Sequence, residues 1–297
     1  MKLEFGTGSR FGRLNFKEAY ALVEYALNKG INRFDTGFSY GNFKSQPLLA
    51  KCLEKKLKFS RESLIISTKC AAKSPEYINY CIQKSIENFN SSYIDNFHLW
   101  GANIQDLEDG EILKILSKLQ KEGKIKTISV NTHRLKTIKK LSTGFYSEIK
   151  GMLIDFNLLK QDRIPYIKKS RDYGIKVFAG TVLCQGLLIE SVPEIFLRSF
   201  SPFYLGRALL KKESRNYLKP AKKIRKHMKN KYKNLYREIP LSYVINESLV
   251  EYIPMGMLSM KSIKRNIEIA ENPIKKEITD GIAKWAFENC QIKENLN

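Results

Sequence analysis

"FGTGSRFG" (residues 5–12) overlaps the end of the first apolar run, "KLEFG" (2–6), and its glycines fall at 6, 8 and 12. A doubly wound dinucleotide-binding sheet carries G-x-G-x-x-G at this point, for the tight turn and the close backbone approach to a pyrophosphate. The spacing here does not match. Working outward, short strand-like runs recur at "INRFD" (31–35), "SLIIST" (63–68), "IDNFHLW" (94–100), "KTISVN" (126–131), "GMLIDFN" (151–157), "IKVFAG" (175–180) and "LVEYIP" (249–254). Helix-period stretches separate them. In "FKEAYALVEYALNKG" the residues Ala19, Leu22, Val23, Tyr25, Ala26 and Leu27 form one apolar face, closed by Gly30. "EYINYCIQKSIENFN" and "DGEILKILSKLQKEGK" repeat the pattern, the second with Asp109 and Glu111 at its start and lysines at its end, as the helix dipole prefers. Eight strands alternating with helices predict a (β/α)8 barrel, an α/β TIM-barrel fold, as one domain over 1–297.

The chain of 297 residues has a formal net charge of +22 and 43% hydrophobic residues. No secretory signal or membrane-length apolar run occurs, so the expectation is a cytoplasmic protein without stable membrane insertion. The five cysteines are scattered and the three histidines stand far apart, which argues for reduced thiols and against a metal site. The charge is concentrated: residues 207–237 hold thirteen Lys/Arg against one acid, Glu213. No recognition helix, zinc finger or aromatic sheet motif accompanies it, so nucleic acid is not the expected partner.

Barrel chemistry sits where strands end. The polar residues at those ends are Thr7, Asp35 with Tyr40 just beyond, Lys69, Trp100, Asn131 and Thr132, Asn157, Thr181 and the backbone of Gly256. Asp35, Tyr40 and Lys69 compose a proton-transfer set: the ammonium favours the phenolate and the carboxylate holds the ammonium. Asp35–Lys69 would equally serve as a structural ion pair at the mouth.

At "GINRFDTGFSYG" (30–41) the sequence resembles the aldo-keto reductases, whose signature sets an aspartate at the end of the second strand and a tyrosine five places later, followed by glycine. "ISTK" (66–69), "YIDNFHLW" (93–100), "GKIKTISVN" (123–131), "AGTVLCQGLL" (179–188) and "YIPMGMLSMKSIKRN" (252–266) match further segments in order. The resemblance implies a nicotinamide cofactor, NADP or NAD, across the barrel mouth, with hydride passing to or from a small-molecule carbonyl or alcohol. Tyr40 would be the general acid, assisted by Lys69 and Asp35. Gly6, Thr7, Asn131, Thr132, Leu183, Gln185, Gly256, Ser259 and Asn266 fall on cofactor-binding positions.

Several positions depart from the family. Its catalytic histidine falls on Trp100. His98 lies two residues earlier, about 6–7 Å deeper at ~3.3 Å per residue, and reads as an interior residue satisfied by its neighbours. The family's nicotinamide-binding glutamine falls on Leu153, its stacking aromatic on Gly180, and its 2′-phosphate arginine on Ser262, with Lys261, Lys264 and Arg265 nearby. Three readings stay open: a reductase or dehydrogenase of a sugar or small metabolite; a redox-weak protein keeping the cofactor as sensor or structural ligand; and a Tyr/Lys/Asp sugar dehydratase or epimerase.

In the basic segment (203–238), Ala221, Ile224, Met228, Tyr232 and Leu235 recur at helical spacing, so an apolar stripe is expected to pack on the barrel beneath a solvated lysine face. Arg207, Lys211 and Lys212 are candidates for meeting an anionic substrate, phosphorylated or nucleotide-linked; attachment to an acidic membrane surface ranks behind.

Overall fold

The computed structural model describes residues 1–55, 60–199, 212–290 and 292. Eight parallel strands run in order around a nearly closed barrel: β1 (Leu3–Gly6), β2 (Arg33–Asp35), β3 (Ile65–Ala71), β4 (Ile94–Trp100), β5 (Ile125–Thr132), β6 (Ile149–Asp155), β7 (Lys176–Gly180) and β8 (Ile253–Gly256). β1 pairs with both β2 and β8. The seam between β7 and β8 closes around an isolated bridge, Phe178 to Tyr252, where the Ala179 amide donates to the Tyr252 carbonyl at 2.8 Å and the Glu251 and Tyr252 amides donate to the Val177 carbonyl. β8 begins four residues later than the apolar run "LVEYIP" suggests. Residues 247–250 are taken up by a turn, the Val250 amide donating to the Glu247 carbonyl.

The helices lie where their periodicity places them. Helix Phe16–Asn28 opens on a capping box in which Asn15 accepts from the Glu18 amide and Glu18 accepts from the Asn15 amide. Such a cap contributes ~1 kcal/mol. Ala19, Leu22, Val23, Ala26 and Leu27 are buried, and Gly30 takes φ +78° to turn the chain into β2. Helix Pro75–Asn88 starts behind Ser74, and helix Glu111–Lys121 buries Ile112, Leu113, Leu116 and Leu119.

Several of the inward strand positions are polar. Asn96 donates to the Ser67 hydroxyl at 3.1 Å. Lower down, Glu4, fully buried, pairs with Arg33 at 3.0 Å, and the Arg33 guanidinium lies 3.5 Å over the Tyr252 ring centre. Burial pushes the Glu4 carboxyl up to about 7 against the pull of Arg33.

The basic segment forms helix Lys212–Tyr232. Ala221, Ile224 and Met228 are fully buried, as their spacing suggests, but Leu235 is 45% exposed. The α-helix ends at Tyr232, Lys233 turns left-handed at φ +43°, and a 3-10 turn over Lys233–Arg237 presents Tyr236 inward instead. Arg207 and Lys211 lie outside the described residues. No helix among the described residues is long and apolar enough to cross a membrane.

Candidate active site

Asp35 ends β2, and Lys69 lies on the inward face of the neighbouring β3. The Lys69 ammonium donates to both carboxylate oxygens of Asp35, at 2.7 and 2.8 Å, and both residues are at most 5% exposed. Burial opposes the charge on Lys69, yet the Asp35 carboxylate and the Tyr40 hydroxyl together hold the ammonium above its ordinary range. It lies 5.4 Å from the Tyr40 ring centre.

The backbone fixes the phenol. A Cβ on Gly37 would meet the Tyr40 ring at 3.0 Å, so the ring lies over bare backbone. Gly41, Asn42 and Phe43 are all left-handed, at φ +61°, +55° and +65°. At Gly41 any Cβ would strike the Ser45 hydroxyl at 2.6 Å. That hydroxyl donates to the Gly8 carbonyl and accepts from the Gly12 amide, tying the loop after β2 to the loop after β1. Beside Tyr40, Phe38 packs edge-on to Phe43 and to Tyr80, whose rings are about half exposed.

β4 runs in unbroken register with both neighbours: Lys69 opposite His98, His98 opposite Ser129, Trp100 opposite Asn131. Trp100 therefore stands at the rim, 44% exposed, and His98 is wholly buried below. The expectation that neighbours satisfy His98 fails: neither ring nitrogen has a hydrogen-bond partner among the described residues. Its ring packs edge-on to Phe178 at 4.9 Å, and the facing Ser129 hydroxyl is equally unpaired. Burial, reinforced by Lys69, drives the imidazole well below its usual pKa and keeps it neutral.

Across the mouth, Asn131 is 7% exposed, and its side-chain amide makes no hydrogen bond within the described residues. An amide that opens to the mouth without an internal partner suits a ligand that brings its own donor and acceptor. Thr132 faces the other way, its hydroxyl accepting the Arg134 amide at 3.2 Å. Leu153 lies opposite Asn131 on β6 and offers no polar atom. At Gly180 an added Cβ would meet only ordinary contacts, from 3.4 Å outward. The Gly6 position faces both Asp35 and Gly256, and a Cβ there would meet the Met255 carbonyl at 2.9 Å. The Thr7 hydroxyl bonds that of Thr36.

Beyond β7 the backbone is strained, with Thr181, Cys184 and Gln185 at φ +50°, +47° and +60°; Leu183 is half-buried between them. Ser259 caps helix Met260–Glu271, accepting from the Ser262 amide, and Asn266 lies buried on the same side of that helix. A capped helix N-terminus with Lys261 exposed in its first turn suits a phosphate. Asn131 and this helix end thus fit the two ends of a nicotinamide dinucleotide.

One further cluster at this rim is not indicated by residue type. His133 Nδ1 lies 2.8 Å from Asp155 Oδ2, and the Thr181 hydroxyl donates to Asp155 Oδ1 at 2.6 Å. Burial pushes the Asp155 carboxyl up, but His133 and Thr181 outweigh it and hold it below the usual carboxylate range. The available signal was strand parity, since His133 and Asp155 each stand two residues beyond Asn131 and Leu153.

A model of the aldo/keto reductase family matches residues 2–285. L-galactose dehydrogenase from Arabidopsis thaliana is 28% identical over 276 residues, spanning 88% of this chain and 80% of its own. Among solved structures, the holo form of aldo-keto reductase AKR11C1 from Bacillus halodurans superposes with a TM-score of 0.78 at 22% identity, covering 99% of this chain and 94% of its own. An aldo/keto reductase from Klebsiella pneumoniae, in complex with NADP and acetate, gives 0.71 at 16% identity, covering 100% and 93%. With the fold matched end to end and the family model spanning nearly the whole chain, this protein belongs to the aldo/keto reductases and is an oxidoreductase.

Proposed function

We propose that the protein, acting as one barrel unit, reduces a carbonyl, or oxidises the corresponding alcohol, of a sugar or other small metabolite with NADP or NAD. The observation that carries this reading is the buried Lys69 ammonium, held by both oxygens of Asp35 beside the Tyr40 phenol. The bound nicotinamide supplies the hydride donor or acceptor. In the reducing direction Tyr40 gives its proton to the carbonyl oxygen, and the Lys69 ammonium stabilises the phenolate left behind. Asp35 fixes that ammonium and keeps it charged. Trp100 narrows the mouth and offers one indole N–H to orient the substrate. Phe38, Phe43 and Tyr80 line the Tyr40 side with aromatic surface that excludes water. Asn131 is assigned to the nicotinamide end of the cofactor. Gly256, Ser259 and Asn266 are assigned to its adenosine end, with the 181–186 loop between.

A sugar substrate is supported by the likeness to a protein named L-galactose dehydrogenase. An anionic substrate rests on the charge of residues 207–237 alone. A second reading, a cofactor-binding protein with little turnover, is favoured by Trp100, Leu153 and Gly180, where the family's catalytic and nicotinamide-holding side chains are replaced. Steady-state oxidation of NADPH and NADH over an aldehyde and sugar panel separates the two. Turnover with some substrate is expected, and Tyr40→Phe should lower it by ~10²–10⁴. A wild-type chain that binds cofactor but turns over nothing, or a fully active Tyr40→Phe, rejects the reductase.

A further inference from the structure

The His133–Asp155 pair lies close to the two positions where nicotinamide contacts are lost. Asp155 pairs in register with Gly180, and Leu153 lies two residues before it on the same face of β6. His133 follows Asn131 by two residues on the neighbouring β5 side. We propose that His133 and Asp155 hold the carboxamide of the nicotinamide, replacing the amide that Leu153 lacks; this rests on the reductase reading above.

Three observations carry the assignment. First, the chemistry matches. A carboxamide carries an NH2 that must find an acceptor and an oxygen that must find a donor. Here Asp155 accepts from His133 at one oxygen and from Thr181 at the other, and each oxygen keeps a further lone pair. With Nδ1 donating to Asp155, the imidazole offers Nε2 as an acceptor, unbonded among the described residues on a side chain that is 54% exposed; the pair therefore accepts from the carboxamide NH2, and Asn131 is left to donate to its oxygen. Second, the pair is oriented. Bonds of 2.8 and 2.6 Å from two neighbouring strand ends fix the carboxylate, and the carboxylate fixes the imidazole. Third, direction separates this role from catalysis. Asp155 draws His133 toward β6 and β7, whereas Tyr40, Lys69 and Trp100 stand on the β2–β4 side. His133 is therefore a cofactor-binding residue and does not replace the missing catalytic histidine.

The test compares affinity for NADP⁺ with affinity for 2′-phospho-ADP-ribose, which lacks the nicotinamide, by calorimetry on the intact chain. Wild type should bind NADP⁺ more tightly than the fragment. His133→Ala should weaken NADP⁺ binding about five- to ten-fold, the size of one lost hydrogen bond, and leave the fragment unchanged. Asp155→Asn should act in the same direction. Adding Leu153→Gln to His133→Ala should restore NADP⁺ binding, a rescue that a merely structural role would not produce. Equal weakening of both ligands, no change in either, or no rescue overturns the assignment. Wild type that holds the two ligands equally overturns it while leaving the reductase standing. Wild type that binds neither ligand is tested with NAD⁺ and ADP-ribose in the same way, and failure to bind either pair removes both.

Discussion

Lys69→Met tests how the buried pair at the mouth is held. The substitution keeps the volume but removes both hydrogen bonds to Asp35, 2.7 and 2.8 Å long, and leaves a carboxylate that is 5% exposed without its countercharge. Stranding one partner of a buried pair costs about 3–5 kcal/mol, whereas replacing both with neutral groups is close to neutral. Lys69→Met should therefore be strongly destabilised at pH 8, and Asp35→Asn/Lys69→Met should recover most of the loss. The pH dependence has a definite sign. Burial already lifts the Asp35 carboxyl, and without Lys69 it rises further. A carboxyl whose folded pKa exceeds its unfolded value contributes no penalty below the unfolded value and a growing one as pH rises toward the folded value. The single variant should thus regain stability as pH falls from 8 to 5. Urea midpoints of the three proteins at both pH values give the answer, and turnover should be lost in both variants. A Lys69→Met protein as stable as wild type at pH 8, or a double variant no better than the single one, would refute the account.

Trp100→His should raise kcat/KM for carbonyl reduction, because an imidazole can share its proton with the developing oxyanion where the indole only donates a hydrogen bond, and a positioned group of this kind is worth ~10²–10³ in rate. Trp100 is 44% exposed, so the unfolding midpoint should barely move; steady-state kinetics that stay flat would mean a rim donor is not what limits the rate. Glu4→Gln addresses the lower interior. The Glu4 carboxyl rises from 4.5 to about 7 on folding, so its ionisation penalises the folded state increasingly from about pH 4.5 upward. Relative to wild type, Glu4→Gln should gain about 3 kcal/mol between pH 4.5 and pH 8, read from urea titrations; a difference that is constant with pH would contradict the burial argument.

The strands and helices were legible because their causes are local: apolar periodicity, a capping box at Asn15, a left-handed Gly30. The rim residues are legible because the ends of the strands can be counted, which puts Asp35 and Lys69 side by side. What was not legible depends on neighbours distant in the chain. His98 packs edge-on against Phe178 on β7, a contact that gives neither ring nitrogen a partner. Glu4 is tolerable inside only because Arg33, on the next strand, reaches it. Thr132 is a ligand candidate by position, and only the structure shows that the turn that follows places the Arg134 amide on its hydroxyl. Leu235 continued a helical spacing that the backbone abandons at Lys233. His133 and Asp155 belong to separate strand ends, and only their shared parity with Asn131 and Leu153 links them in the sequence.

The unbroken ladders flanking β4 constrain how this protein acquires or loses an imidazole at its rim. Sliding the strand by one residue would turn every interior side chain outward. A slide by two would carry His98 upward but would also pull Asn96 from Ser67 and misalign the rungs on both sides. No small adjustment of the backbone leads from one arrangement to the other. Such a strand behaves as a ratchet with fixed teeth, so the chemistry at its upper end changes by exchanging the side chain at position 100 and not by moving the one at 98.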